Sequence, residues 1–221
     1  MQLSSVYYRT NREQQAIRNA GKWCQMAAVL VLLLCNLSRT ALADDSQRTK
    51  AIVTEVCAAC HNLDGNSIDP TFPKLAGRNP DYLVRELKVF ISGQRKSDLM
   101  GPIVATLNTD DLRPLAEYFG AQKPTSGQIK DVKAAEIGRK LFQNGDESRD
   151  IPACAGCHNI DASGNSRFPR LAGQHREYLI AQLNNFKNDV RNYSSARLMR
   201  ELTKRMSDEE IAAVADYLNG L

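Results

Sequence analysis

The sequence predicts an all-α protein made of two copies of one small helical unit, and three observations carry that prediction. The hexapeptide CAACHN at 57–62 returns as CAGCHN at 154–159. The stretches behind it return in the same order: FPKLAG at 72–77 as FPRLAG at 168–173, DYLVRELKVF at 81–90 as EYLIAQLNNF at 177–186, and LNTDDLRPLAEYF at 107–119 as MSDEEIAAVADYL at 206–218. Repetition on this scale marks two copies of one supersecondary unit. Within each copy apolar residues recur at helical spacing, and no segment alternates for long enough to build a sheet.

The chain opens on a basic stretch with Arg9, Arg12, Arg18 and Lys22, followed by the apolar run MAAVLVLLLCNL at 26–37 and the small-residue pattern ALA at 41–43. This order reads as a signal peptide over 1–43. A membrane anchor is the competing reading, but the run is shorter than the ~20 apolar residues a spanning helix needs. A lipid-modified Cys35 is disfavoured because bulky Leu34 precedes it. The leader holds five of the 29 basic and one of the 25 acidic residues, so the remainder balances at 24 of each. No basic stripe is left to engage nucleic acid. The first unit then spans 44–120, a linker rich in turn formers (AQKPTSGQ) spans 121–128, and the second unit spans 129–221.

Helices are expected in the same places in both copies. Ala51, Ile52, Glu55 and Val56 lead directly into Cys57, whereas Ile137, Gly138, Leu141 and Phe142 form a helix separated from Cys154 by the loop QNGDESRDIPA. Leu83, Leu87, Phe90 and Ile91 make one apolar face, matched by Leu179, Leu183 and Phe186. Leu112, Leu115, Ala116 and Phe119 make the last stripe of the first copy, matched by Ile211, Val214, Ala215 and Leu218. Ser207 and Glu210 form a capping box for the second of these. In the first, Pro114 requires either a distorted helix or one that starts later than Thr109.

Cys24 and Cys35 lie in the leader, so the remaining four cysteines all belong to the two hexapeptides. A redox dithiol or a zinc site would use paired cysteines, but neither needs a histidine directly after each second cysteine. Covalent haem attachment needs both: two thiols bond to the porphyrin, and the adjacent imidazole reaches the iron. This reading assigns haem attachment to Cys57, Cys60, Cys154 and Cys157, and proximal iron ligation to His61 and His158. Two covalently attached haem c groups follow. A sixth ligand is then sought among the methionines, since a thioether closes the iron and raises its potential. The first unit offers Met100 alone; the second offers Met199 and Met206. Registering the final helices places Leu107 opposite Met206 and Met100 opposite Met199, so Met199 is the expected ligand and Met206 a core residue. His175, opposite Asn79, is expected to be a surface turn residue.

With CAACH, FPKLAG, CAGCH, FPRLAGQH and two methionines at matched positions, the chain resembles the dihaem c-type cytochromes of the c4 class, over essentially everything after the leader. That resemblance implies two tandem cytochrome c domains related by a pseudo-twofold axis, with haem propionates near their interface. It implies axial pairs His61 with Met100 and His158 with Met199, and backbone carbonyls at Pro73 and Pro169 that orient the imidazoles. One departure stands out: the segment from Phe90 to Met100 is three residues shorter than that from Phe186 to Met199.

The same resemblance implies a periplasmic electron carrier, free or peripherally associated with the membrane. It would take electrons from a donor such as a quinol-oxidising complex and pass them to a terminal oxidase. The alternatives are a cytochrome subunit docked on a dehydrogenase or flavoprotein, and a dihaem peroxidase-type enzyme, which would need an open iron. The protein is expected to be non-enzymatic. The purified mature chain should begin at Asp44 and retain two haems through acid-acetone extraction; an intact leader or one haem by mass spectrometry would contradict this.

Overall fold

The computed structural model describes residues 46–221, so the leader expected at 1–43, with Cys24 and Cys35, lies outside the described residues. Among the described residues the structure is helical, and its only β feature is an isolated bridge between Asp146 and Ile151. No helix there is long and apolar enough to cross a membrane.

In the first unit, residues 49–52 are α-helical and run into a π-helical turn, Val53–Cys57, then into the short helix α1, Ala58–His61. Helices α2 (Pro80–Ile91), α3 (Met100–Val104) and α4 (Leu112–Gly120) follow. The second unit repeats the plan with α5 (Val132–Asn144), α6 (Ala155–His158), α7 (Arg176–Lys187), α8 (Arg197–Thr203) and α9 (Asp208–Gly220).

Local chemistry accounts for the boundaries. Asn79 caps α2 through the Asp81 amide, with Pro80 at the first helical position, where its missing N–H costs nothing. The expected Ser207–Glu210 capping box opens α9. The Pro114 conflict is resolved by a later start: Thr109–Asp111 is a 3-10 turn inside an Asn108–Asp111 capping box, and α4 begins at Leu112. Pro114 therefore sits in the first turn, whose amides have no intrahelical partner.

The apolar stripes form the cores. Val53, Leu83, Leu115, Ala116 and Phe119 pack together in the first unit. Phe142, Leu179, Ile211, Val214 and Leu218 do so in the second, with Met206 among them. Ile91 departs from the expected face: it is the last residue of α2 and is exposed, the chain turning away at Ser92. In the second unit α5 packs closely on α9 at Gly138, where a Cβ would lie 2.1 Å from the Ala213 carbonyl oxygen.

The segment expected as a linker is bonded to both units. Lys74 Nζ donates to the Thr125 carbonyl (2.9 Å), Asn66 accepts from the Thr125 amide (3.0 Å), and the Gly127 amide donates to the Asn219 carbonyl (2.8 Å). The two glycines of the FPxLAG repeats face it from either side: a Cβ on Gly77 would meet Pro124 and one on Gly173 would meet the Thr125 carbonyl.

Gly138→Ala sets two effects against each other. Alanine gains about 0.8–1.0 kcal/mol of helix propensity over glycine. Overpacking costs about 1–3 kcal/mol, and here the contact is with backbone that cannot swing aside. The clash should win, leaving a net loss of up to about 2 kcal/mol by chemical denaturation of the haem-loaded protein; a stabilised variant would contradict the close packing of α5 on α9.

Candidate functional site: two haem-attachment centres

Each site is assembled from a short helix, a proline-bearing loop and the unit's long helices. Cys57, Cys60 and His61 sit on and just before α1, and Cys154, Cys157 and His158 on and before α6. None of the four cysteines is in a disulfide. Burial pushes the Cys57 and Cys154 thiols up to about 11, the opposite of the lowered value a redox-active dithiol requires. Among the described residues no group of three or more His, Cys, Asp or Glu is gathered for a metal ion, so the four-ligand zinc alternative has no counterpart.

Both imidazoles are buried, and each makes the same hydrogen bond to a proline carbonyl. His61 Nδ1 lies 2.9 Å from the Pro73 carbonyl oxygen, and His158 Nδ1 lies 2.9 Å from that of Pro169. With Nδ1–H donated to a carbonyl, Nε2 is left as the free lone-pair nitrogen a metal needs. Burial holds both rings below the ordinary histidine range, against the opposing pull of the Pro73 and Pro169 carbonyls and with the positive Arg78 adding to the lowering. Phe72 and Phe168 stand edge-on to the two rings, at 6.4 and 5.8 Å between centroids.

In the first unit these groups open onto a cavity of about 300 Å³. Cys57, Cys60 and His61 line one side, Met100 and Ile103 contribute from α3, and Leu83, Leu87, Phe90, Leu115 and Phe119 supply apolar walls. A dithiol, an imidazole and a thioether around a largely apolar chamber fit a covalently held planar iron macrocycle. In the second unit Met199 packs against Phe186, Tyr193 and Ala196, while Met206 is buried in the core with Ile211 and Leu141.

The family model described as Cytochrome c matches residues 46–123 and again 135–221. A cytochrome c4 from Azotobacter vinelandii is 37% identical over 89% of this chain and 100% of its own length. The chain belongs to the cytochrome c4 family. The crystal structure of reduced recombinant cytochrome c4 from Pseudomonas stutzeri superposes with a TM-score of 0.74 at 35% identity, covering 80% of this chain and 98% of that one. A thiosulfate dehydrogenase electron acceptor from Stutzerimonas stutzeri is 36% identical over 87% of this chain and 92% of its own. The architecture is thus the tandem cytochrome c pair of that family, and Cys57, Cys60, Cys154 and Cys157 attach two haem c groups.

Three features of the c4 arrangement were not anticipated from the sequence. His175, expected as a surface turn residue, stands at the position just before α7, and its Nε2 lies 2.8 Å from the Ser67 carbonyl oxygen and 3.0 Å from the Ser67 hydroxyl, across the interface. Gln174 exchanges two hydrogen bonds with the Lys74 backbone, at 2.9 and 3.0 Å. Arg78, 6% exposed, donates to the carbonyls of Lys74 and Arg170 and so spans both units. The repeat offset could have flagged the interface, since Tyr82, Arg95 and their counterparts Tyr178 and Arg191 are matched in sequence.

Proposed function

We propose that this dihaem electron carrier works in the periplasm with both irons closed, His61 and Met100 ligating the first and His158 and Met199 the second. Haem supplies the one-electron couple; the polypeptide fixes the ligands, excludes water and sets the two potentials. The observation that carries the reading is the first cavity, which brings Cys57, Cys60, His61 and Met100 around one apolar chamber. The matching Nδ1–carbonyl bond at His158 supports the same arrangement in the second unit.

A six-coordinate iron has no position for substrate, and this supports a carrier over a peroxidase-type enzyme. The domain limits fit that role: 44–120 and 129–221 would each house one haem, with 121–128 wedged between them. For partners, the resemblance favours a quinol-oxidising donor and a terminal oxidase as acceptor. A second reading has a specific observation behind it: the similarity to a thiosulfate dehydrogenase electron acceptor favours a sulfur-compound dehydrogenase as donor.

A redox titration followed optically should resolve two one-electron couples, and the reduced native protein should bind carbon monoxide poorly at neutral pH. Rapid stoichiometric binding would establish an open iron and favour the enzyme.

The two methionines of the second unit are separable by mutation. Met199→Ala should abolish that haem's share of the weak red methionine-to-iron band and lower its potential. Met206→Leu should preserve the band and cost less than about 1.5 kcal/mol, as volume-conserving core exchanges do. The reverse pattern would show that the helix registration is wrong.

A further inference from the structure

The polar cluster between the two units follows the repeat in its tyrosine and arginine pairs and departs from it at two positions, Glu86 against Gln182 and Tyr193, which bonds Glu86 and Arg191, against Ser97. On α2 and α7, Tyr82 corresponds to Tyr178 and Glu86 to Gln182, and just beyond them Arg95 corresponds to Arg191. The backbone follows the same register: the Arg95 amide donates to the Val89 carbonyl at 2.9 Å, and the Arg191 amide to the Asn185 carbonyl at 3.0 Å. Each guanidinium covers the matching ring, Arg95 over Phe90 at 4.4 Å and Arg191 over Phe186 at 4.2 Å.

Two guanidinium groups therefore meet at the interface with one carboxylate between them. Glu86 accepts from Arg95 and from Arg191, the latter at 2.9 Å. Gln182 stands where symmetry would put a second carboxylate, and its amide oxygen accepts from the same two arginines, at 2.8 and 3.0 Å. The Arg95, Glu86 and Arg191 side chains are 10, 14 and 6% exposed, and Arg191 Nε is buried without a hydrogen-bond partner. As bonded, the cluster holds two positive charges and one negative. Glu86, Arg95, Gln182 and Arg191 all line the first haem cavity, so the excess charge is presented there.

We propose that Gln182, a residue of the second unit, tunes the potential of the first haem. By withholding the second carboxylate it leaves the cluster with one positive charge more than a symmetric pair of carboxylates would, beside a cavity that the buried Arg78 also lines. Such a charge disfavours the oxidised centre, which is more positive by one than the reduced, and so raises the reduction potential. Solvent and salt screen it little at this depth. Whichever haem carboxylates the guanidinium groups also meet, the difference of one charge between glutamine and glutamate remains. The proposal rests on the carrier reading above.

The test is a charge-swap cycle on the haem-loaded protein: Gln182→Glu, Glu86→Gln and the double variant, each titrated spectroelectrochemically. The first couple is the one displaced by Met100→Ala. Gln182→Glu should shift that couple down and move the other less; Glu86→Gln should shift it up; the double variant should return it toward the parent. Shifts of both single variants in the same direction, with no return in the double, would assign the cluster a purely structural role and overturn the proposal. So would an unmoved couple in Gln182→Glu. If Glu86→Gln does not fold, Gln182→Glu decides alone, because it keeps the shape and both acceptor contacts of the native side chain. Failure of the parent protein to show two couples would instead reject the carrier reading.

Discussion

Each haem site depends on one hydrogen bond, from the Nδ1 of a buried imidazole to the carbonyl of a proline, 2.9 Å in both units. It fixes the tautomer and the ring plane together, and much of the repeat serves to hold the accepting carbonyl still. The loop carrying it is tied back at its end: the amides of Leu75 and Ala76 donate to Gly65, and those of Leu171 and Ala172 to Ala162. It is also tied to the unit's last helix, Gly77 to the Phe119 carbonyl and Gly173 to that of Leu218. A displacement of α4 or α9 therefore reaches the imidazole through three short links. This explains why the FPxLAG segment recurs with so little change while the loops around it differ in length.

The two copies diverge where they no longer need the same geometry. A π-helical turn delivers Cys57 to the first site, whereas Cys154 follows a 3-10 turn, Glu147–Arg149, and the Asp146–Ile151 bridge. Such π-helical turns often accompany functional sites because they re-aim the residues that follow. The interface diverges in charge rather than backbone. Glu86 and Gln182 occupy matched positions and share the same two arginines, so the exchange of one carboxylate oxygen for an amide nitrogen leaves the charge of the seam unsymmetrical.

What could be read in the sequence was whatever a few adjacent residues encode. Cys57, Cys60 and His61 must be close because they are neighbours on one turn, and Ser207 caps α9 because Glu210 lies three residues on. The apolar faces were legible from spacing, except that Ile91 fell at a helix end where spacing no longer fixes direction. The contacts from His175 to Ser67 and from Gln174 to Lys74 join residues about a hundred apart, and no local pattern announces them. Histidine at the start of a helix reads as a turn residue when its partner belongs to the other unit.

The linker shows what the polar bonds of that interface add to its apolar contact, where Val89 packs on the cluster of Phe186, Tyr193 and Ala196. An apolar seam would let the units slide, since dispersion contacts are individually weak and non-directional. Here the seam is set by directional bonds: Gln174 to both backbone groups of Lys74, Arg78 to Arg170, and Thr125 to Asn66 and Lys74. Buried polar groups carry a large penalty if left unpaired, so small rotations of one unit against the other would break several bonds at once. A fixed seam keeps the distance and medium between the two irons constant. Under the tuning proposed above, that constancy would keep the excess charge of the Glu86–Gln182 cluster at one place relative to the haem sites, so that motion between the units would not average its effect away.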